Sequence, residues 1–175
     1  MNKTSRVILL IFLAFMVTLG FLAKNYVDPK YLNQQNVNKE VPNFNFFDIT
    51  TDKIIHKNDL IGQKYILISY ATWCGYCHKQ HKLIEQLKQI SKVKIYGVLW
   101  NDTIENGLAQ IKNEVNPYDG NFIDKNNILT NSLELYGVPN LILIDETGKI
   151  KLHYMGSLTN ALINNYILPI LRDKK

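Results

Sequence analysis

Residues 73–78 read WCGYCH and contain both cysteines of the 175-residue chain, Cys74 and Cys77, with His78 directly behind them. The six letters admit three chemistries. Cys-x-x-Cys is a dithiol that can close to a disulfide, and Cys-x-x-Cys-His is also the attachment pattern of c-type haem. Adding His81 gives a set of four zinc donors. A fourth, purely structural reading is weak, because a disulfide stabilises by closing a long loop and a two-residue gap closes almost none.

The surroundings discriminate. Tyr65–Tyr70 (YILISY) is a continuous apolar run, the mark of a strand buried on both faces. From Cys77 to Ile90 the apolar positions Leu83, Ile84, Leu87 and Ile90 share one helical face. The motif therefore joins a buried strand to an amphipathic helix, with Cys74 at the helix N-terminus. There the unpaired N–H groups and the helix dipole favour a thiolate, the species that attacks disulfides. Cys77, one turn on, faces inward, placed to attack the mixed disulfide. Trp73 and Gly75 leave Cys74 open at a surface edge. A haem attached through Cys74 and Cys77, with His78 and Met155 as axial ligands, needs an open pocket for the macrocycle, which this strand–helix junction does not offer. Zinc held by Cys74, Cys77, His78 and His81 would take every ligand from a turn and a half, whereas structural zinc sites draw on two separated segments. His78 and His81 read as helix residues that are solvent-facing or partly packed; His56 and His153 carry no usable signal.

Outward from the motif, strand and helix patterns alternate. Phe44, Phe46 and Ile49 begin a strand region, with Lys53–His56 pairing to it as a hairpin. Val93–Leu99 is a strand, and Ile104, Leu108, Ile111 and Val115 stripe a second helix. Asn127–Tyr136 reads as a shorter helix. Leu141–Asp145 and Lys149–Tyr154 form an antiparallel hairpin about the Glu146-Thr147-Gly148 turn. A last helix runs over about 159–171, with Leu162, Ile163, Tyr166 and Ile167 inward and Pro169 near its end. The order β-β-β-α-β-α-α-β-β-α predicts a central mixed sheet with helices on both faces.

The N-terminus is of another kind. Residues 7–23 contain no charge, follow Lys3 and Arg6, and precede the first acidic residue, Asp28. As a helix they cover about 25 Å, the short end of a membrane span. The positive-inside rule keeps residues 1–6 in the cytoplasm and sends the rest across. Ala23 suits the last position of a cleaved signal peptide but Phe21 is a poor third-last residue, so a retained anchor is the expectation. Residues 24–42 are polar and hold Pro29 and Pro42; they read as a flexible tether of about 25 Å. Residues 43–175 form the single folded domain. The net charge of +5 is scattered, not clustered, which argues against nucleic-acid binding.

The sequence resembles the thioredoxin superfamily and, within it, the membrane-anchored CcmG/DsbE (TlpA/ResA-like) branch of thiol:disulfide interchange proteins of cytochrome c biogenesis. The resemblance rests on the anchor, Pro42-x-Phe44, ATWCGYC at 71–77, GVLWND at 97–102, NPYD at 116–119, LYGVPN at 135–140, LIDETGKI at 143–150, Gly156 and ILPIL at 167–171. It implies a thioredoxin-like α/β fold with an αβ insertion of roughly 20 residues between WCxxC and Gly-Val-Pro relative to a minimal thioredoxin. It implies that Pro139 is cis beside the dithiol, leaving the Val138 backbone free to pair with an extended peptide. Cys74 and Cys77 become the catalytic pair, and Trp73, Gly75, Tyr76, Val138 and Pro139 the substrate-binding residues. No cofactor is expected beyond the redox-active Cys74–Cys77 disulfide, and no metal. The implied activity is that of a weak periplasmic reductant of apocytochrome c, or of a maturation or haem-lyase component. Electrons would come from a membrane thiol transporter of the DsbD or CcdA type. A general oxidant, or a reductant of other clients, is the alternative. The chain departs from the family pattern at Asn140 and Gln80, where acidic residues are common. It departs again at Ile68, in the place of the buried Asp of ordinary thioredoxins.

Overall fold

The computed structural model describes residues 3–173. Its centre is one seven-stranded mixed sheet in the order β2-β1-β5-β4-β3-β6-β7. The strands are β1 (Asn45–Asp48), β2 (Lys53–His56), β3 (Tyr65–Tyr70), β4 (Lys94–Leu99), β5 (Gly120–Ile123), β6 (Asn140–Ile144) and β7 (Ile150–Tyr154). β3, β4 and β5 run parallel, while β6 pairs antiparallel with β3 and β1 pairs antiparallel with β5. The YILISY run is apolar throughout because it lies in mid-sheet. Ile66, Ile68 and Tyr70 enter one core with Cys77, Ile84, Leu87 and the C-terminal helix; Tyr65 and Leu67 enter the other with Phe44, Phe46 and Leu129.

β5 is absent from the sequence-based order. Only Phe122 and Ile123 of its four residues carry an apolar side chain, and Gly120-Asn121 reads as a turn. Its pairing with β4 and β1 comes from tertiary context, which overrides local propensity. The helix expected from Cys77 to Ile90 is two pieces, α3 (Gly75–Lys79) and α4 (His81–Ser91), joined at Gln80, and Ile90 is exposed. α5 (Ile104–Asn113) is shorter than its stripe suggested. Leu108 and Val115 face solvent, and the helix docks through Gly107, where an added Cβ would meet Ile49 and Leu99 at about 3 Å. α2 (Lys57–Leu60) and α6 (Ile128–Leu133) are short. The last helix begins at α7 (Asn160–Leu162), widens to a π turn over Ile163–Ile167 and resumes as α8 (Leu168–Arg172). Pro169 explains the widening: it lacks an N–H, and its ring would crowd the carbonyl four residues back in a regular helix.

The expected tether of residues 24–42 is not one. Two 3-10 turns, Pro29–Tyr31 and Gln34–Asn36, carry the chain along the outer edge of β7. Leu32 bridges Tyr154 and Glu40 bridges Lys149, both antiparallel. The backbone N–H groups of Asn33 and Asn38 donate to the carbonyls of His153 and Ile150 at 2.9 and 2.7 Å. Val27 and Val41 are buried, as is Asn36, whose amide reaches His153 Nδ1 at 3.1 Å. The segment is a strap covering a sheet edge that would otherwise be open to pairing. Composition hid this: the anchoring apolar residues are few, and the rest of the strap is held by backbone hydrogen bonds. Before the strap, helix α1 (Lys3–Lys24) is long and apolar enough over Thr4–Ala23 to cross a membrane, with none of that stretch buried in the protein.

Candidate active site: the Cys74–Cys77 disulfide and its groove

The chain leaves β3 at Tyr70, turns through Ala71-Thr72-Trp73 and enters α3 with Cys74 as its N-cap. Cys74 and Cys77 are bonded to each other, with Cα atoms 5.3 Å apart. The Cys77 N–H points at Cys74 Sγ at 3.2 Å, so the N-terminal donors of α3 face the first sulfur. Cys77 is 1 % exposed and Cys74 6 %. Gly75, directly after Cys74, is exposed, and a Cβ added there would meet nothing within 4 Å.

The turn before Cys74 is held from behind by Asp102. Its Oδ2 accepts from Thr72 N–H and Thr72 Oγ1 at 2.7 and 2.6 Å, and its Oδ1 from Thr103 N–H and Asn106 Nδ2, both at 2.8 Å. Burial raises the Asp102 pKa, but these bonds outweigh it and hold the carboxyl below its usual range. Trp73 lies 59 % exposed on the surface, its indole N–H donating to Asn101 O at 3.2 Å.

Opposite Cys74 lies the loop of residues 137–139, with a cis Val138–Pro139 bond. Val138 O is 3.9 Å from Cys74 Sγ. The side chain of Asn140 ties this loop by donating to Gly137 O at 2.5 Å, and its backbone N–H donates to Ser69 Oγ at 3.0 Å. In place of a charge, Asn140 supplies a clamp on the loop. Ile68 packs fully within the core. Gln80 is buried; its Oε1 accepts from Leu158 N–H at 2.8 Å, which fixes the joint between α3 and α4 to the loop leading into the last helix.

A groove of about 620 Å³ runs beside the disulfide. Tyr76, Val138 and Pro139, which the resemblance implies as substrate-binding residues, line it, and so do Tyr31, Tyr136, Tyr154 and Glu134, which sequence reasoning did not single out. Tyr136 stands beside Gly137-Val138-Pro139 in the sequence and could have been found from that position; Tyr31 could not, because its place depends on the strap docking. Trp73 and Gly75 lie next to Cys74, outside the groove lining.

The residues of the haem and zinc readings are not brought together. Met155 lines the groove with Val138, while His78 turns toward α5. His78 Nε2 donates to Thr72 O at 2.8 Å, and the His81 Nε2 is buried without a partner. Among the described residues no group of three or more His, Cys, Asp and Glu side chains could hold a metal ion.

A strand-turn-helix disulfide facing a cis-proline loop on a mixed sheet defines a thioredoxin-fold thiol:disulfide oxidoreductase. A thioredoxin-like domain family matches residues 52–168, and the chain belongs to that family, as a DsbE-like thiol:disulfide interchange protein. It is 31 % identical over 149 residues to the thiol:disulfide interchange protein DsbE of Pseudomonas fluorescens biotype C, covering 85 % of this chain and 83 % of that one. With its counterpart in Escherichia coli K12 it shares 28 % identity over 174 residues, covering 97 % and 94 %. The crystal structure of the thioredoxin domain of a thiol-disulfide oxidoreductase from Bacteroides vulgatus superposes with a TM-score of 0.67 at 20 % identity, over 78 % of this chain and 98 % of that one.

Proposed function

We propose that this protein is a reductant working outside the cytoplasm, anchored by α1, that keeps the haem-binding cysteines of apocytochrome c, or of a maturation partner holding them, in the dithiol state. The observation that carries the reading is the asymmetry of the dithiol. Cys74 caps a helix opposite the Val138 carbonyl, which lines the groove, and keeps slight exposure, while Cys77 is sealed at 1 %.

The cycle follows from that asymmetry. In the reduced protein the Cys74 thiolate attacks one sulfur of a client disulfide. A Cys74–client bond forms, the client S–S bond breaks, and the departing client thiolate takes a proton. Cys77 then loses its proton and attacks Cys74 Sγ. The mixed disulfide breaks, the client leaves as a dithiol, and the Cys74–Cys77 disulfide remains, two electrons having passed to the client. Tyr76, Val138 and Pro139 hold the client chain, the Val138 N–H and C=O being available for strand-like pairing. A membrane thiol transporter of the DsbD or CcdA type returns the two electrons.

The test is a glutathione redox titration of the full chain in detergent, joined to trapping with Cys77→Ser, which arrests the mixed disulfide. The expected results are a reducing couple and apocytochrome c or a maturation component in the trap. A potential near that of a strong oxidant such as DsbA, about −120 mV, would overturn the direction. A broad catch of unrelated exported proteins would overturn the client.

A further inference from the structure

The face of α5 turned to the dithiol is polar, not apolar. Asp102, Asn106, Gln110 and Glu114 recur every four residues, one stripe along the start and length of the helix. Asp102 holds the Thr72 turn, as described. At the other end the stripe holds His78, the residue after Cys77. His78 Nε2 lies 2.8 Å from Thr72 O, and a carbonyl only accepts, so Nε2 carries a proton in either charge state. Nδ1 lies 3.1 Å from Glu114 Oε2 and 3.3 Å from Gln110 Nε2, and Gln110 Nε2 lies 3.2 Å from the same Glu114 oxygen. Nδ1 thus has two satisfied states. Neutral, it accepts from the Gln110 amide; protonated, it donates to the Glu114 carboxylate.

We propose that His78 is a positioning residue that couples its own charge, set through Glu114, to the reactivity of the Cys74 thiol. The inference rests on the dithiol being the redox centre. His78 sits on the one-turn helix whose N-cap is Cys74, and its N–H reaches Cys74 O at 3.3 Å. Its ring spans from that helix back to the turn preceding Cys74. An imidazolium there adds a positive charge to the donors already facing Cys74 Sγ and favours the thiolate.

The other charged and titratable groups around His78 leave it that role. On α5, Glu114 faces Nδ1, and its carboxyl is held below its usual range, first by the Gln110 amide and then by His78. On α4, the His81 ring centroid lies 5.6 Å away, and burial, then the neighbouring His78, push the His81 pKa down. Behind Thr72, Asp102 is committed to its four donors. On α3, the Lys79 Nζ lies over the Tyr76 ring, 5.4 Å from its centroid.

The measurement is the alkylation rate of Cys74 by iodoacetamide in the reduced full chain in detergent, followed by mass spectrometry as a ratio of pH 6 to pH 9. The ratio cancels differences in folded fraction. His78→Gln keeps a neutral donor and should lower the ratio about threefold to tenfold, a tenfold change being one pKa unit. His78→Lys keeps the charge and should retain or raise it. Glu114→Gln removes the oxygen 3.1 Å from Nδ1 and should lower it. Equal ratios in the wild type and all three variants, with glutathione cycling intact, would overturn the inference alone. Loss of glutathione cycling in the wild type would instead overturn the redox reading on which it rests.

Discussion

Acid should loosen the strap through one histidine. His153 is buried on β7 beneath Asn36, which donates to its Nδ1 at 3.1 Å and to Leu133 O at 3.3 Å, and its Nε2 has no partner among the described residues. Burial pushes its pKa from 6.5 down to about 4. The unfolded chain then binds the proton more readily, so stability is complete above the unfolded value and falls as pH drops from 6.5 toward 4. The full gap of about 2.5 units amounts to about 3.4 kcal/mol at 1.36 kcal/mol per unit, of which about 2 kcal/mol is already lost at pH 5. Most carboxylates are still ionised at pH 5, which makes that the informative point. The assay is urea unfolding of the full chain in detergent at pH 7.5 and 5.0, in the wild type and in His153→Leu, where Asn36 keeps Leu133 O as an acceptor. The wild type should lose about 2 kcal/mol more than the variant between the two pH values. Parallel losses would refute the assignment of the acid sensitivity to His153.

Two further substitutions probe the frame of the site. Gly97→Ala would place a Cβ 2.8 Å from both Tyr118 Cδ2 and Tyr70 Cε1, so two rings packed on each other at a tilt must move; we expect a loss of about 1–3 kcal/mol in urea unfolding at pH 7.5. Asp102→Asn turns an acceptor of four hydrogen bonds into a half-donor, with an expected loss of about 1–2 kcal/mol and slower alkylation of Cys74 as the Thr72 turn loosens; unchanged values of both would remove Asp102 from the frame.

What could be read in the sequence was what depends on strong local patterns. The buried run of β3, the placement of Cys74 at a helix start and the β6–β7 hairpin are set by unbroken apolar residues and turn chemistry. In that hairpin Asp145 Oδ1 accepts from the Thr147 N–H and hydroxyl and the Lys149 N–H. The cis Val138–Pro139 bond was accessible only through family resemblance. β5 and the strap were illegible for one shared reason: both are held by backbone pairing to neighbours distant in sequence, which leaves no periodic trace. The face of α5 was misjudged because its few apolar residues drew attention, whereas Gly107 and a polar stripe make the contact. His153 carried no signal because its meaning lies in Asn36, 117 positions away.

The docked strap also changes how far the disulfide can travel. Val27 is already part of the core, so only Asn25 and Tyr26 separate the end of α1 from the rigid body of the domain. Even fully extended, that link spans at most about 10 Å from Lys24 to Val27. With α1 in a bilayer, the domain pivots close to the lipid surface and does not sample the aqueous space at the end of a long leash. Its encounters are then confined to proteins that bring their own sulfurs down to the height of that pivot.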